Sequence, residues 1–203
     1  MGRLTFLRTI GVFTLAVAAL AAEKPTSKPT SKPKPGSTIK SGTKEQPVKA
    51  LTNGGFEQGI IDWSNKTDND MSHAVAEAAH TGKLGLRVTD ADPAIGASLT
   101  SQYIEAEAGK SYVVTFWART IEGKGAGVVL RFSDATGKSI KPPESATEDR
   151  QVIPPDQQEW AQFTLRANGP DGTARVRVVI TSNKKDQVTA DFDDFVLKPD
   201  TDK

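Results

Sequence analysis

Ser111–Thr120 reads SYVVTFWART, and it follows the turn signal Ala108-Gly109-Lys110. Its centre is rich in β-branched and aromatic residues, which suit a pleated strand better than a helix. In an extended chain successive side chains point to opposite sides. Tyr112, Val114, Phe116 and Ala118 therefore share one face, and Val113, Thr115, Trp117 and Arg119 share the other. The first set is apolar throughout, which predicts a core-facing strand. The second set puts Trp117 beside Arg119 on an outer face. A large aromatic there is either covered or available to a ligand.

The same rhythm extends outward in both directions. Leu84–Thr89 (LGLRVT), Gly125–Ser133 (GAGVVLRFS), Gln162–Ala167, Thr173–Thr181 and Val188–Leu197 are short β-rich runs separated by turn signals. In the second of these, Val128, Leu130 and Phe132 fall on one face and Arg131 on the other. The glycines of Gly123–Gly127 read as a flexible hairpin turn, not as a phosphate cradle, because no helix follows them. Ser72–His80 (SHAVAEAAH) is alanine-rich and helical by propensity. It is short, uncapped and lies between strand-like runs, so it reads as a strand or irregular edge. Lys138–Trp160 reads as a long loop stiffened by Pro142-Pro143 and Pro154-Pro155 and carrying several acids. This series of strands predicts an all-β fold, a two-sheet antiparallel β-sandwich.

Charge divides the chain. Residues 1–50 carry nine Lys/Arg against two Glu, a net of +7, and residues 51–203 carry 17 Lys/Arg against 23 Asp/Glu, a net of −6. The overall +1 conceals this split, and the acidic body argues against nucleic acid as a partner. Arg3 and Arg8, the uncharged run TIGVFTLAVAAL at 9–20 and Ala19-Leu20-Ala21 read as a secretory signal peptide, residues 1–22. The apolar run is about a dozen residues, whereas a spanning helix needs about 20. A retained membrane anchor is the alternative reading, and no later segment reads as transmembrane. Residues 23–50 repeat KPTS and offer little to bury, as expected of a disordered linker. The linker is either a plain spacer or a basic strap for anionic wall polymer or lipid headgroups. These boundaries leave a folded body at 51–199 and a short tail at 200–203, and predict a secreted or extracytoplasmic protein.

Several motifs in the body occur in one order: Leu51-Thr52-Asn53-Gly54-Gly55-Phe56-Glu57, Trp63, His80-Thr81-Gly82-Lys83, Ala108-Gly109-Lys110-Ser111-Tyr112, Trp117-Ala118-Arg119, Trp160, and Phe192-Asp193-Asp194-Phe195-Val196-Leu197. In that order and spacing the body resembles a CenC-type carbohydrate-binding module over residues 51–199. The resemblance implies a jelly roll whose N- and C-terminal strands lie close together, with Phe56 and Phe192 entering the core. It also implies a structural calcium held by Glu57 and Asp193, with a carbonyl from the Gly82–Lys83 turn completing an all-oxygen shell.

Sugar recognition requires an aromatic face for the C–H side of a pyranose and polar groups for its hydroxyls. Trp117 and Arg119 supply both, and Arg131 is expected to join them. Tyr103 and Gln102 are further candidates from the neighbouring run. Trp63 reads as a core plug and Trp160 as packing at the sandwich edge. Catalytic signatures are missing. The chain has no cysteine, which removes thiolate nucleophiles and thiolate metal sites. His73 and His80 have no Ser or Cys partner at a recognisable spacing, and Glu105-Ala106-Glu107 lacks the third carboxylate of a glycosidase strand motif and reads as a solvated edge. The leading expectation is a non-catalytic module that binds a polysaccharide or oligosaccharide, working alone or beside a separately encoded glycoside hydrolase. A structural or protein-interaction sandwich of the cell envelope is the rival expectation.

Overall fold

The computed structural model describes residues 47–140 and 150–201. The signal-peptide reading of 1–22 and nearly all of the linker reading of 23–50 lie outside the described residues. The described residues form twelve strands in chain order: β1 (Glu57–Ile60), β2 (Trp63–Ser64), β3 (Ser72–Val75), β4 (Gly85–Asp90), β5 (Ser98–Ser101), β6 (Ile104–Glu105), β7 (Ser111–Gly123), β8 (Gly127–Ser133), β9 (Arg150–Val152), β10 (Ala161–Asn168), β11 (Arg175–Thr181) and β12 (Val188–Pro199). They form two antiparallel sheets. The first has the order β10-β7-β12-β4-β3; the second has the order β2-β5-β11-β8-β9, with β6 also pairing β11. This is the sandwich that the sequence pattern predicts.

The alternation in β7 places the chain as expected. Val114, Phe116 and Ala118 are fully buried between the sheets and Tyr112 is nearly so. Val128, Leu130 and Phe132 of β8 meet them from the second sheet, as do Val176, Val178 and Ile180 of β11. Burying an aliphatic or phenyl side chain of this size stabilises the fold by about 1.5–3 kcal/mol each.

β12 carries a bulge that simple alternation does not foresee. Its register against β7 shifts between Asp193 and Val196, and Asp194 adopts a left-handed φ of 54°. The extra residue lets Phe192 and Phe195, three apart, both point inward. Phe195 stacks on Phe116 with ring centroids 4.9 Å apart, and its N–H donates to the Gly54 carbonyl at 2.9 Å. A Cβ at Gly54 would run into the Phe195 carbonyl, so only glycine lets the 51–57 segment lie against β12. Phe56 is fully buried, and Trp63 packs on it at 5.0 Å while donating its indole N–H to the Asn53 carbonyl. The N- and C-terminal strands thus lie together, and Trp63 is a core plug.

Three expectations need correction. The ordered body begins before residue 51, because Val48 bridges Ile104, its N–H donating to the Tyr103 carbonyl and its carbonyl accepting from Glu105. Gly123–Gly127 is not a hairpin: β7 belongs to the first sheet and β8 to the second, so 124–126 carry the chain between layers. Gly123 has φ 76°, and any Cβ there would strike the Gln187 carbonyl. Lys138–Trp160 is not all loop, because β9 pairs with β8 at the sheet edge and Ile153 is buried. Pro154 and Gln157 then accept hydrogen bonds from the Thr120 hydroxyl and N–H, tying this crossover to β7. Residues 141–149 of that stretch lie outside the described residues. Ser72–Val75 is an edge strand and Ala76–Ala78 a single 3-10 turn, in line with the edge reading.

Candidate functional site

The two outer faces of the sandwich differ in what their polar and aromatic groups are already doing. On the first sheet, alternation in β7 turns Trp117 and Arg119 outward, opposite Asp193 and Asp191 of β12. The segment after the 3-10 turn folds over them. The His80 ring stacks on Trp117 with centroids 4.0 Å apart and an interplanar angle of 16°. Its Nδ1 lies 2.7 Å from the Asp194 carboxylate, and the Thr81 hydroxyl donates to the same group. Trp160 meets the His80 ring edge-on at 5.2 Å.

Arg119 is equally engaged. Its guanidinium lies 4.8 Å over the Trp160 ring, donates to Asp191 at 2.9–3.0 Å, and donates to the Glu77 carbonyl at 2.9 Å. Asp191 is fully buried and also accepts both nitrogens of a bidentate pair with Arg87, at 2.7 and 3.0 Å. Hydrogen bonding to Asp191 raises the Arg87 pKa above its ordinary value, against the opposing effect of burial. Trp117 and Arg119 therefore meet the protein's own partners on this face. Trp160 does sit beside the edge strand β10, but its ring belongs to this half-buried cluster with His80 and Arg119.

The outer face of the second sheet is arranged otherwise. Alternation in β11 turns Arg175, Arg177, Val179 and Thr181 away from the core, and β8 adds Val129 and Arg131; Arg175 and Val179 are nonetheless buried, and Arg131 is the exposed one of the set. Arg177 and Arg131 are direct cross-strand neighbours. Tyr103, from the break between β5 and β6, lies against the guanidinium groups of Arg177 at 4.9 Å and Arg175 at 5.4 Å. The Tyr103 ring is partly exposed, and its hydroxyl donates weakly to the Gly137 carbonyl at 3.4 Å. Arg131 is exposed, and desolvation first, then the charge of Arg177, hold its pKa below the ordinary value. Arg131 thus does not join Trp117 and Arg119. It lies on the opposite side of the sandwich, with Tyr103. Gln102 is nearly buried. With its amide oxygen toward Thr52, it accepts the Thr52 N–H at 3.0 Å and donates to the Asp62 carbonyl at 3.1 Å, so it braces the 51–63 segment.

The expected calcium ligands do converge on one segment, residues 80–84, but they meet N–H groups there. Glu57 accepts from the Lys83 and Leu84 N–H groups at 2.9–3.1 Å. Asp193 is fully buried and accepts from the N–H groups of His80, Thr81 and Asp194. Burial raises the Asp193 pKa, and those three hydrogen bonds oppose the rise. Lys83 thus offers an N–H to the Glu57 carboxylate, and a Cβ at Gly82 would collide with that carboxylate. Among the described residues no three His, Asp or Glu side chains are grouped to hold an ion. Carboxylates turned to N–H donors do not form the oxygen shell calcium requires, so this donor set does not fit the ion as arranged.

Reading by motif missed Arg177, which the alternation of RVRVVIT places beside Arg131 only once the strand register is known. It also missed Asp191 and the His80–Asp194 contact, which join residues more than seventy positions apart.

Residues 48–188 match the family model described as a carbohydrate binding domain, and the chain belongs to that family. A search of curated proteins finds no match. Among solved structures, a family 16 carbohydrate binding module aligns with a TM-score of 0.54 at 17% identity, over 73% of this chain and 98% of that one. The enzymatically active domain of the bacteriophage CBA120 tailspike protein 4 aligns with a TM-score of 0.58 at 17% identity, over 75% of this chain and 22% of that one. The tandem CBM22 domain of Paenibacillus barcinonensis Xyn10C aligns with a TM-score of 0.50 at 14% identity, over 76% of this chain and 47% of that one. These structures share the sandwich fold with this chain.

Proposed function

We propose that this carbohydrate-binding domain takes its polysaccharide or oligosaccharide on the outer face of the second sheet, at Tyr103, Arg131 and Arg177. One observation carries the assignment. The side chains of Arg131 and Arg177 make no hydrogen bond or ion pair with the described residues, and Arg177 meets only the Tyr103 ring, whereas Trp117 and Arg119 on the other face are engaged by His80, Asp191 and Glu77. Arginine N–H groups without acceptors, beside a partly exposed tyrosine, are what a sugar's hydroxyls and C–H face require.

The domain acts without catalysis on this reading. Among the described residues, Glu105 is the carboxylate paired across the strands with this face; it sits opposite Arg175 and is exposed. The proposal extends to an extracytoplasmic setting, resting on the signal-like residues 1–22, and to a separately encoded glycoside hydrolase as working partner. A glycan array with the full chain tests it. Binding that disappears in Tyr103→Ala and persists in Trp117→Ala supports the face, and the reverse pattern rejects it.

A further inference from the structure

Arg131 and Arg177 stand directly opposite one another on adjacent strands. Like charges at such positions destabilise a sheet. Folds ordinarily relieve the repulsion with a carboxylate, as Asp191 does for Arg87 and Arg119 on the other face. Among the described residues no Asp or Glu lies within ion-pair distance of Arg131 or Arg177, and the buried Arg177 Nε has no hydrogen-bond acceptor. Tyr103 lies against Arg177, with the guanidinium 4.9 Å from its ring centroid. The body as a whole is acidic, so this positive pair is a local exception and not part of a general basic surface.

We infer that the glycan recognised at this face is anionic, its carboxylate or sulfate groups supplying the counter-charge that no described Asp or Glu supplies to Arg131 and Arg177. The inference rests on the proposed sugar site and names its ligand class. A planar guanidinium offers two parallel N–H groups to a two-oxygen anion, and a pair of them 4.5–5.5 Å apart across a sheet (roughly, between Cβ atoms) suits one charged residue of a polymer.

The test uses the full chain and its Arg131→Gln, Arg177→Gln and Tyr103→Ala variants, titrated with polygalacturonate, its fully methyl-esterified form and dextran sulfate. The basic residues 23–50 are common to all four proteins, so differences between them report on the face alone. Binding to polygalacturonate is expected to weaken about tenfold in each arginine variant, the usual effect of losing a charge-assisted hydrogen bond, and to vanish on esterification. Arginine-dependent binding to dextran sulfate alone also supports an anionic ligand and assigns its charge to sulfate. The thermal midpoint of Arg131→Gln is expected to equal or exceed that of the wild type, because repulsion is removed. Equal affinity for the free acid and the ester, lost in Tyr103→Ala, overturns the anionic ligand and leaves the sugar site standing. Binding to no glycan overturns both, and wild-type affinity in both arginine variants overturns the role of the pair.

Discussion

Replacing Asp191 with Asn tests whether the first sheet's outer face is scaffold. Asp191 is fully buried and neutralises two arginines at once, Arg87 through a bidentate contact and Arg119 through its Oδ2. The asparagine keeps the shape and one acceptor, but removes the counter-charge that the two guanidinium groups share, leaving Arg87 only the weaker pull of Glu77. Breaking a buried ion pair in this way costs about 3–5 kcal/mol. The two arginine side chains remain 29% and 25% exposed, so water offsets part of the loss and the lower end, about 3 kcal/mol, applies. For a domain of about 150 residues each kcal/mol moves the melting midpoint by about 2–4 °C, which gives a drop of roughly 6–12 °C. Differential scanning calorimetry reads the drop, and titration at a temperature where both proteins are folded reads the affinity. The midpoint should fall and glycan affinity should stay within twofold of wild type, about the spread of 0.4 kcal/mol. A drop under about 1 kcal/mol would refute the electrostatic role of Asp191. A large loss of affinity in the folded variant would refute the division between scaffold face and binding face.

Two further outcomes follow from the segment at 80–84. The Asp193 carboxyl has its pKa raised in the fold from an ordinary 3.8, so the folded chain keeps that proton to higher pH than the unfolded chain. Its contribution to stability is therefore present below the unfolded value and is lost as pH rises through the raised folded value. Thermal midpoints of wild type and Asp193→Asn measured from pH 3 upward (roughly one step per half unit) should diverge across that window, and parallel profiles would contradict the assignment. Because Glu57 and Asp193 face N–H donors, excess EDTA should leave the midpoint unchanged, and a drop of more than about 2 °C on chelation would show that these carboxylates hold an ion instead.

Much of the sandwich was legible because alternation is local. Tyr112, Val114, Phe116 and Ala118 could be assigned to the core from SYVVTFWART alone, since each side chain's face depends only on its neighbours' positions. The bulge at Asp194 was not legible, because an extra residue in one strand is set by pairing with β7 and by the approach of Gly54. The binding face was legible only in part. Tyr103 and Arg131 stood out as an aromatic and an outward arginine, but which sheet each strand joins is a long-range fact. β7 and β8 are consecutive, which suggests a common sheet, yet the short link at 124–126 crosses between layers. That crossing is what separates Arg131 from Trp117. The cover over Trp117 was illegible for the same reason, since His80 and Trp117 are distant in sequence and meet only after β4 and β12 pair.

The most direct test of the central claim is a calorimetric titration of one array-selected glycan into the wild type, Tyr103→Ala and Trp117→Ala. Affinity that falls at least about tenfold in Tyr103→Ala and is retained in a folded Trp117→Ala is the predicted result, with Trp117→Ala showing only a lowered melting midpoint. Affinity lost in Trp117→Ala and retained in Tyr103→Ala would contradict the account, and would place the sugar on the first sheet beneath a displaced His80.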